Sequence, residues 1–353
     1  MTALSSIPLN PPTPETGWQA CPKVSLHEHI DGSLRPHTLW ELCQARGIPL
    51  PWPHPDRVAH GMQANAHTGQ LTTYLQGFRH TVAAMASESA CERVARELAE
   101  DAHADGCVLA EFRFAPQLFV DWGLAPEAAI EAVLRGLEHH RQQQPLPCGL
   151  IVCGMRQLGA HSTRAAAALA VRYRASGVVG FDLAGPELGF PPSEHAQAIH
   201  LARDGGLGIT VHAGEADAGH RVLEAARLGA TRIGHGVRVV DDPAWADVAR
   251  KRGLHFEVCP SSNVHTGAAR SVAAHPIAAM LDAGLSVSCA PDNRLVSATT
   301  LSRELALLHT ERGLAVPTLL RMQHRALAAS FLPEAVKSSV ASQLRDPDGP
   351  HHG

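Results

Sequence analysis

Short apolar runs recur along the chain, and nearly every one is followed by a stretch in which apolar residues return at helical spacing. The first is Val24-Ser25-Leu26, which alternates as a strand does and runs into His27-Glu28-His29. Side chains two apart on a strand share a face, so His27 and His29 point the same way at its end. A long helical excursion follows from about 35 to 102, interrupted by Pro, Gly and His between 50 and 70. Then a rhythm sets in. CVLAEFRFA precedes a helix near 126–143, CGLIVCG one near 161–175, and VVGFDLAG one near 193–204. LGITVHAGE leads to 217–228, TRIGHG to 242–251, LHFEVCP to 272–283, and LSVSCAPDN to 299–311.

Counting the first, eight short strands each carry a following helix, and such alternation implies a parallel sheet covered by helices. Eight units close a (β/α)8 TIM barrel, here with a helical insertion after the first strand. The rival is an open doubly wound sheet, which usually has a Gly-rich phosphate turn after its first strand; this chain has histidines there. The reading is one barrel domain over 21–340, with a flexible segment at 1–20 and a flexible tail at 341–353.

Composition narrows the partners. A formal charge of -4 with 18% charged residues gives no basic excess for nucleic acid or an anionic membrane, and no run approaches the roughly 18 apolar residues of a spanning helix. The expected partner is a small, near-neutral molecule. The proline-rich start lacks the basic and apolar regions of a secretory signal. The eight cysteines contain no C-x-x-C and fit buried thiols in a reducing cytoplasm.

With 23 His in 353 residues, about one or two His-x-His pairs arise by chance, so His27 and His29 need context. Reading the strand ends in order supplies it: His27 and His29, Gly185, His212 and Glu215, His235, and Asp292. In a parallel barrel these ends meet on one face, which carries the active site in barrel enzymes. Three imidazoles and a carboxylate converging there suit Zn²⁺. Glu215, three residues beyond His212, then becomes a general acid beside the metal; His235 orients the metal's water; and Asp292 binds the metal and can take that water's proton.

Together PKVSLHEHIDGS, FRFAP, FDLAGPE, TVHAGE, RIGHGV, EVCPSSN and PDNRLVSATTLSRE resemble the adenosine deaminase family of the metal-dependent amidohydrolase superfamily, in order from about 22 to 335. The resemblance implies a barrel with one zinc per subunit, held by His27, His29, His212 and Asp292, that hydrolyses the 6-amino group of adenosine to give inosine and ammonia. Water activated by zinc attacks C6, Glu215 protonates N1, and His235 orients the nucleophile. It also implies that the Gly185 N–H meets purine N3, Asp31 the ribose 5'-hydroxyl, and Asn293 the region of N7. Leu71, Tyr74 and Phe78 resemble the family's apolar gate over the ribose, although their spacing is also that of ordinary helix packing.

Two departures stand out: Asn293 replaces a second aspartate common in the family, and Pro291 replaces an expected threonine. An amide offers a donor directly, where a carboxylate must first be protonated to donate. Other functions fit less well. A two-metal relative would need a lysine on the fourth strand, and Lys23, Lys251 and Lys337 all lie elsewhere. The H-x-E and P-C-x-x-C signatures of the unrelated nucleobase deaminases are absent. Adenine, aminofutalosine and nucleotide deaminases remain as rivals, as does a non-catalytic nucleoside-binding relative. Asp31 favours nucleosides over nucleotides, because a carboxylate repels phosphate.

Overall fold

The computed structural model describes residues 14–348. Eight parallel strands form one sheet in sequence order: β1 Lys23–His29, β2 Cys107–Phe114, β3 Cys148–Met155, β4 Val178–Ala184, β5 Gly208–His212, β6 Arg232–Gly234, β7 His255–Val258 and β8 Ser286–Cys289. Helices lie between them, and the last strand comes back beside the first, as in a TIM barrel. No helix among the described residues is long and apolar enough to cross a membrane.

Local chemistry sets the helix ends. Ser87 caps Glu88–Ala104 by accepting the Ala90 N–H at 3.3 Å. This helix buries Cys91, Val94, Ala95, Leu98, Ala99 and Ala102, one stripe at helical spacing. Pro126 and Pro243 occupy the first turns of Pro126–Gln143 and Pro243–Lys251, where a missing N–H costs nothing. The largest apolar cluster joins Phe112, Phe181, Ile233 and Phe256 from the strands to Leu98, Val133 and Ile199 from the helices.

The excursion after β1 is five helices, Pro36–Ala45, Pro55–Ala66, Leu71–Gln76, Phe78–Met85 and Glu88–Ala104. Two elements differ from the sequence pattern. The helix expected over 272–283 is only Ile277–Asp282, with Pro276 immediately before it, while Pro260–His265 forms directly after β7. The segment between them starts at Thr266, whose Oγ1 donates to Glu215 Oε1 at 2.7 Å. Beyond 311, two further helices, Val316–Ala329 and Glu334–Ala341, pack Ala326, Leu327 and Val340 against Val24, Leu26 and Leu109.

Of the ends expected to be flexible, residues 1–13 and 349–353 lie outside the described residues. Trp18, on helix Pro14–Gln19, and Leu344 are buried.

Candidate active site

The seam between β8 and β1 builds the centre of the site. No ladder joins these strands, but Glu28 and Asp292 form an isolated parallel bridge: the His29 N–H donates to the Asp292 carbonyl at 2.7 Å, and the Asp292 N–H donates to that of His27 at 3.1 Å. The bridge holds Asp292 at φ 62°, a region a residue with a Cβ seldom enters. His235 is likewise at φ 59°, with its N–H on the Glu257 carbonyl at 2.9 Å. Both positions are backbone strain held in place by neighbours, as functional sites often show.

Around Asp292 the imidazoles converge. Its Oδ1 lies 3.4 Å from His27 Nε2 and 3.5 Å from His29 Nε2, and the His212 ring centroid is 4.7 Å from that of His27 and 5.4 Å from that of His29. Two donors bound to one ion at 2.0–2.2 Å with tetrahedral angles sit about 3.4 Å apart, so the Asp292 separations from His27 and His29 fit a metal; His27, His29 and Asp292 bring ligand atoms within 4.8 Å of one another, and so do His27, His212 and His235. So do the protons. His27 Nδ1 pairs with Glu257 Oε2 at 2.9 Å and His212 Nδ1 with Asp182 Oδ2 at 3.0 Å, which leaves each Nε2 lone pair for the site. His27 Nε2 is buried with no hydrogen-bond partner. Burial pushes the His29 imidazole well below its usual range, which keeps a ligand lone pair free. Burial alone would raise the Asp292 carboxyl, but His27, His235 and His29 hold it below the usual carboxylate range.

Beneath this set the barrel interior is charged rather than apolar. Arg113 spans Asp182 at 2.9 Å and Glu257 at 2.6 Å, while Arg232 binds Glu257 and Glu111. All five are fully buried, and fully buried charges are held by partners. Arg113, Asp182 and Glu257 fall inside FRFAP, FDLAGPE and FEVCP, so the available signal was a charge in the middle of an apolar strand run. Its role appears only when the strands are placed side by side. Gly234 lets β6 approach: a Cβ there would sit 3.1 Å from His27 Cε1 and 3.2 Å from His212 Cγ.

Above the imidazoles lies a cavity of about 270 Å³ lined by His29, Asp31, Leu71, Tyr74, Phe78, Gly185, His212, Glu215, His235, Asp292 and Asn293, among others. The mouth of the barrel thus gathers every residue the sequence singled out except His27, which lies just below.

Glu215 is buried; its Oε1 accepts from Thr266 Oγ1 at 2.7 Å and Asn263 Nδ2 at 3.2 Å, and its Oε2 is 3.6 Å from His235 Nε2. The loop that carries it is anchored by the Glu187 carboxylate, which accepts the N–H groups of Gly214 at 3.1 Å, Glu215 at 3.0 Å and Asp217 at 2.8 Å. That anchor delays the following helix to His220–Leu228. Gly185 is at φ 98°, a backbone conformation that a residue with a Cβ seldom adopts, and a Cβ there would meet Gln157 Oε1 at 2.3 Å.

Asp31 Oδ2 accepts the Ala115 N–H at 3.4 Å, while its Oδ1 is buried with no hydrogen bond, 3.9 Å from His29 Nδ1; burial pushes the carboxyl up to about 7. Leu71 and Phe78 are half-buried, but Tyr74 is buried and more than apolar. Its hydroxyl bonds Ser297 Oγ at 2.9 Å and accepts from Asn293 Nδ2 at 2.9 Å. Glu187, Asn263, Thr266 and the Tyr74 hydroxyl escaped the sequence reading.

Comparison with known proteins agrees with this fold. The family profile described as adenosine deaminase matches residues 22–347. Adenosine deaminase of Mycolicibacterium gilvum is 40% identical over 344 residues, covering 92% of this chain and 94% of that one, and that of Mycobacterium tuberculosis strain H37Rv is 38% identical with the same coverage. Among solved structures, adenine deaminase of Arthrobacter aurescens superposes with a TM-score of 0.86 at 25% identity, covering 92% of this chain and 98% of that one. The N6-mAMP deaminase of Arabidopsis gives 0.82 at 26% identity, covering 92% and 97%. A fold, a donor set and a sequence match that coincide over nearly the whole chain make it a member of the adenosine deaminase family.

Proposed function

We propose that the chain hydrolyses adenosine, and 2'-deoxyadenosine, to the inosine product and ammonia, with zinc held by His27, His29, His212 and Asp292. The observation that carries this reading is a carboxyl group outside the donor set, Glu215, lining the same cavity as His29, His212 and Asp292. When bound, zinc supplies a water whose pKa is lowered toward about 7.

The side chains divide the remaining work. Asp292, ionised, takes the proton of the attacking water with the oxygen not used as a ligand. Glu215 gives a proton to N1 as the water oxygen bonds C6; Asp292 then passes its proton to the 6-amino group, the C6–N bond breaks as the new C6 hydroxyl returns a proton to Glu215, and ammonia leaves. His235 orients the attacking oxygen across from Glu215. The Gly185 N–H faces N3, Asn293 lies near N7, Asp31 meets the 5'-hydroxyl, and Leu71, Tyr74 and Phe78 cover the ribose and exclude water.

Adenine, or a modified adenosine such as aminofutalosine, is the second reading, since adenine and N6-mAMP are named for the two fold relatives. Asp31 supports nucleosides over nucleotides: a buried carboxyl with a free oxygen accepts or donates to a hydroxyl, whereas its charged form repels phosphate. Free thiols at all eight cysteines support a reducing, cytoplasmic setting. Ammonia release from adenosine, deoxyadenosine, adenine, AMP and aminofutalosine tests the reading. Fastest kcat/KM with adenosine or deoxyadenosine is expected, and turnover of adenine or AMP alone would overturn it.

A further inference from the structure

Behind His235 runs a chain of hydrogen bonds in which each member fixes the next. It starts at a group with one possible role, the Ile277 backbone N–H, which donates to His275 Nδ1 at 3.1 Å. That nitrogen therefore carries no hydrogen. His275 is fully buried, and burial, helped by the Arg312 charge, holds it down to about 3, so the ring is neutral. Its one hydrogen is on Nε2, which must donate, and the atom it meets is Asn263 Oδ1 at 3.2 Å. This orients the amide, whose two ends are otherwise interchangeable.

Asn263 Nδ2 then lies 3.0 Å from His235 Nδ1 and 3.2 Å from Glu215 Oε1. An amide N–H cannot accept, so His235 Nδ1 is the acceptor and the hydrogen of the neutral ring sits on Nε2, 3.6 Å from Glu215 Oε2. Glu215 Oε1 is doubly engaged, because Thr266 Oγ1 also donates to it at 2.7 Å. Only Oε2 is left to hold a proton for a ligand.

We propose that His275, acting through Asn263, is a positioning residue that fixes the hydrogen of His235 on Nε2 and reserves Glu215 Oε2 for proton transfer to the substrate. His235 then meets the attacking oxygen as a hydrogen-bond donor, not as a base, and proton removal falls to Asp292. The catalytic consequence rests on the deaminase reading above; the tautomer does not.

The test therefore has two arms. Nitrogen-15 NMR of the full chain labelled at histidine, with His235 assigned by the signals lost in His235→Ala, should show the Nε2–H tautomer in the wild type and a mixture in His275→Leu. A wild-type Nδ1–H or fully protonated ring overturns the inference, whether or not adenosine is turned over. In the kinetic arm, His275→Leu should lose about tenfold or more in kcat with KM within about threefold. His275→Gln, which can still donate to Asn263, should recover most of that loss. Wild-type kcat in His275→Leu, or His275→Gln as slow as His275→Leu, overturns it. Should His275→Leu not fold, Asn263→Asp carries the kinetic arm: it keeps the size but puts an acceptor opposite His235 Nδ1, and a kcat loss of ~10²-fold is expected. An unchanged kcat there overturns the proposal. Absence of ammonia release by the wild type defeats the deaminase reading alone.

Discussion

At Glu215 one oxygen is tied to Thr266 and Asn263 while the other faces the cavity, so exchanging the acid for its amide removes a transferable proton and little else. Glu215→Gln should keep its full metal content and lose ~10²–10⁴ in kcat; turnover near the wild-type rate would remove it from the mechanism. Asp182 touches no ligand cavity but accepts from His212 Nδ1. Asp182→Asn should weaken metal affinity about 10- to 100-fold, read by competition with a chelator, whereas His212→Ala should lower the metal content itself. Residues of the first kind were legible in the chain, because His212, His235 and Asp292 end apolar runs beside glycine, proline or small residues. Asp182, Glu257 and Arg113 were not, since their meaning is a pairing across three strands that sequence order does not display. His275 was further out of reach: its part depends on where a hydrogen sits.

Among the elements, the strand and helix rhythm was readable nearly everywhere because alternation and helical spacing differ so clearly. The mouth was not. Its segment 266–276 takes its path from contacts with the excursion after β1, where Gly69 N–H donates to the His265 carbonyl at 2.9 Å and the His67 and His265 rings lie 3.8 Å apart. Gly267, at φ 79°, makes that docking possible, since a Cβ would fall 2.4 Å from the Gly69 carbonyl oxygen. The next helix, Leu71–Gln76, carries Leu71 and Tyr74 over the cavity. Gly267→Ala should therefore undock the gate: strain of ~1–3 kcal/mol converts to a KM rise of at least about fivefold, with metal content retained. An unchanged KM would show that the two loops move independently of substrate closure.

For the whole molecule, buried neutral histidines couple the fold to pH. His255 lies between Ser286 Oγ and Ser288 Oγ, each at 2.9 Å, and burial, with the Arg232 charge, holds its imidazole down to about 3. Unfolding frees it to its ordinary value near 6.5. Between these values the unfolded chain binds the extra proton, so the stability this group contributes is full above pH ~6.5 and lost as pH falls toward 3. Urea melts of His255→Gln should show a shallower fall below pH 6, by about 1.4 kcal/mol per pH unit; parallel slopes would refute the assignment.

The unlaced seam carries a consequence of its own. A hoop is weakest at its clasp, and here the strand pairing at the clasp is one short bridge, with the Gly32 carbonyl accepting from Leu295 and Val296 beyond it, flanked by His27, His29 and Asp292, the very side chains placed to grip an ion from both edges. Bound metal would act as a rivet through the join. Stripping it should speed amide hydrogen exchange first at His29 and Asp292, while the helical shell outside keeps its ellipticity.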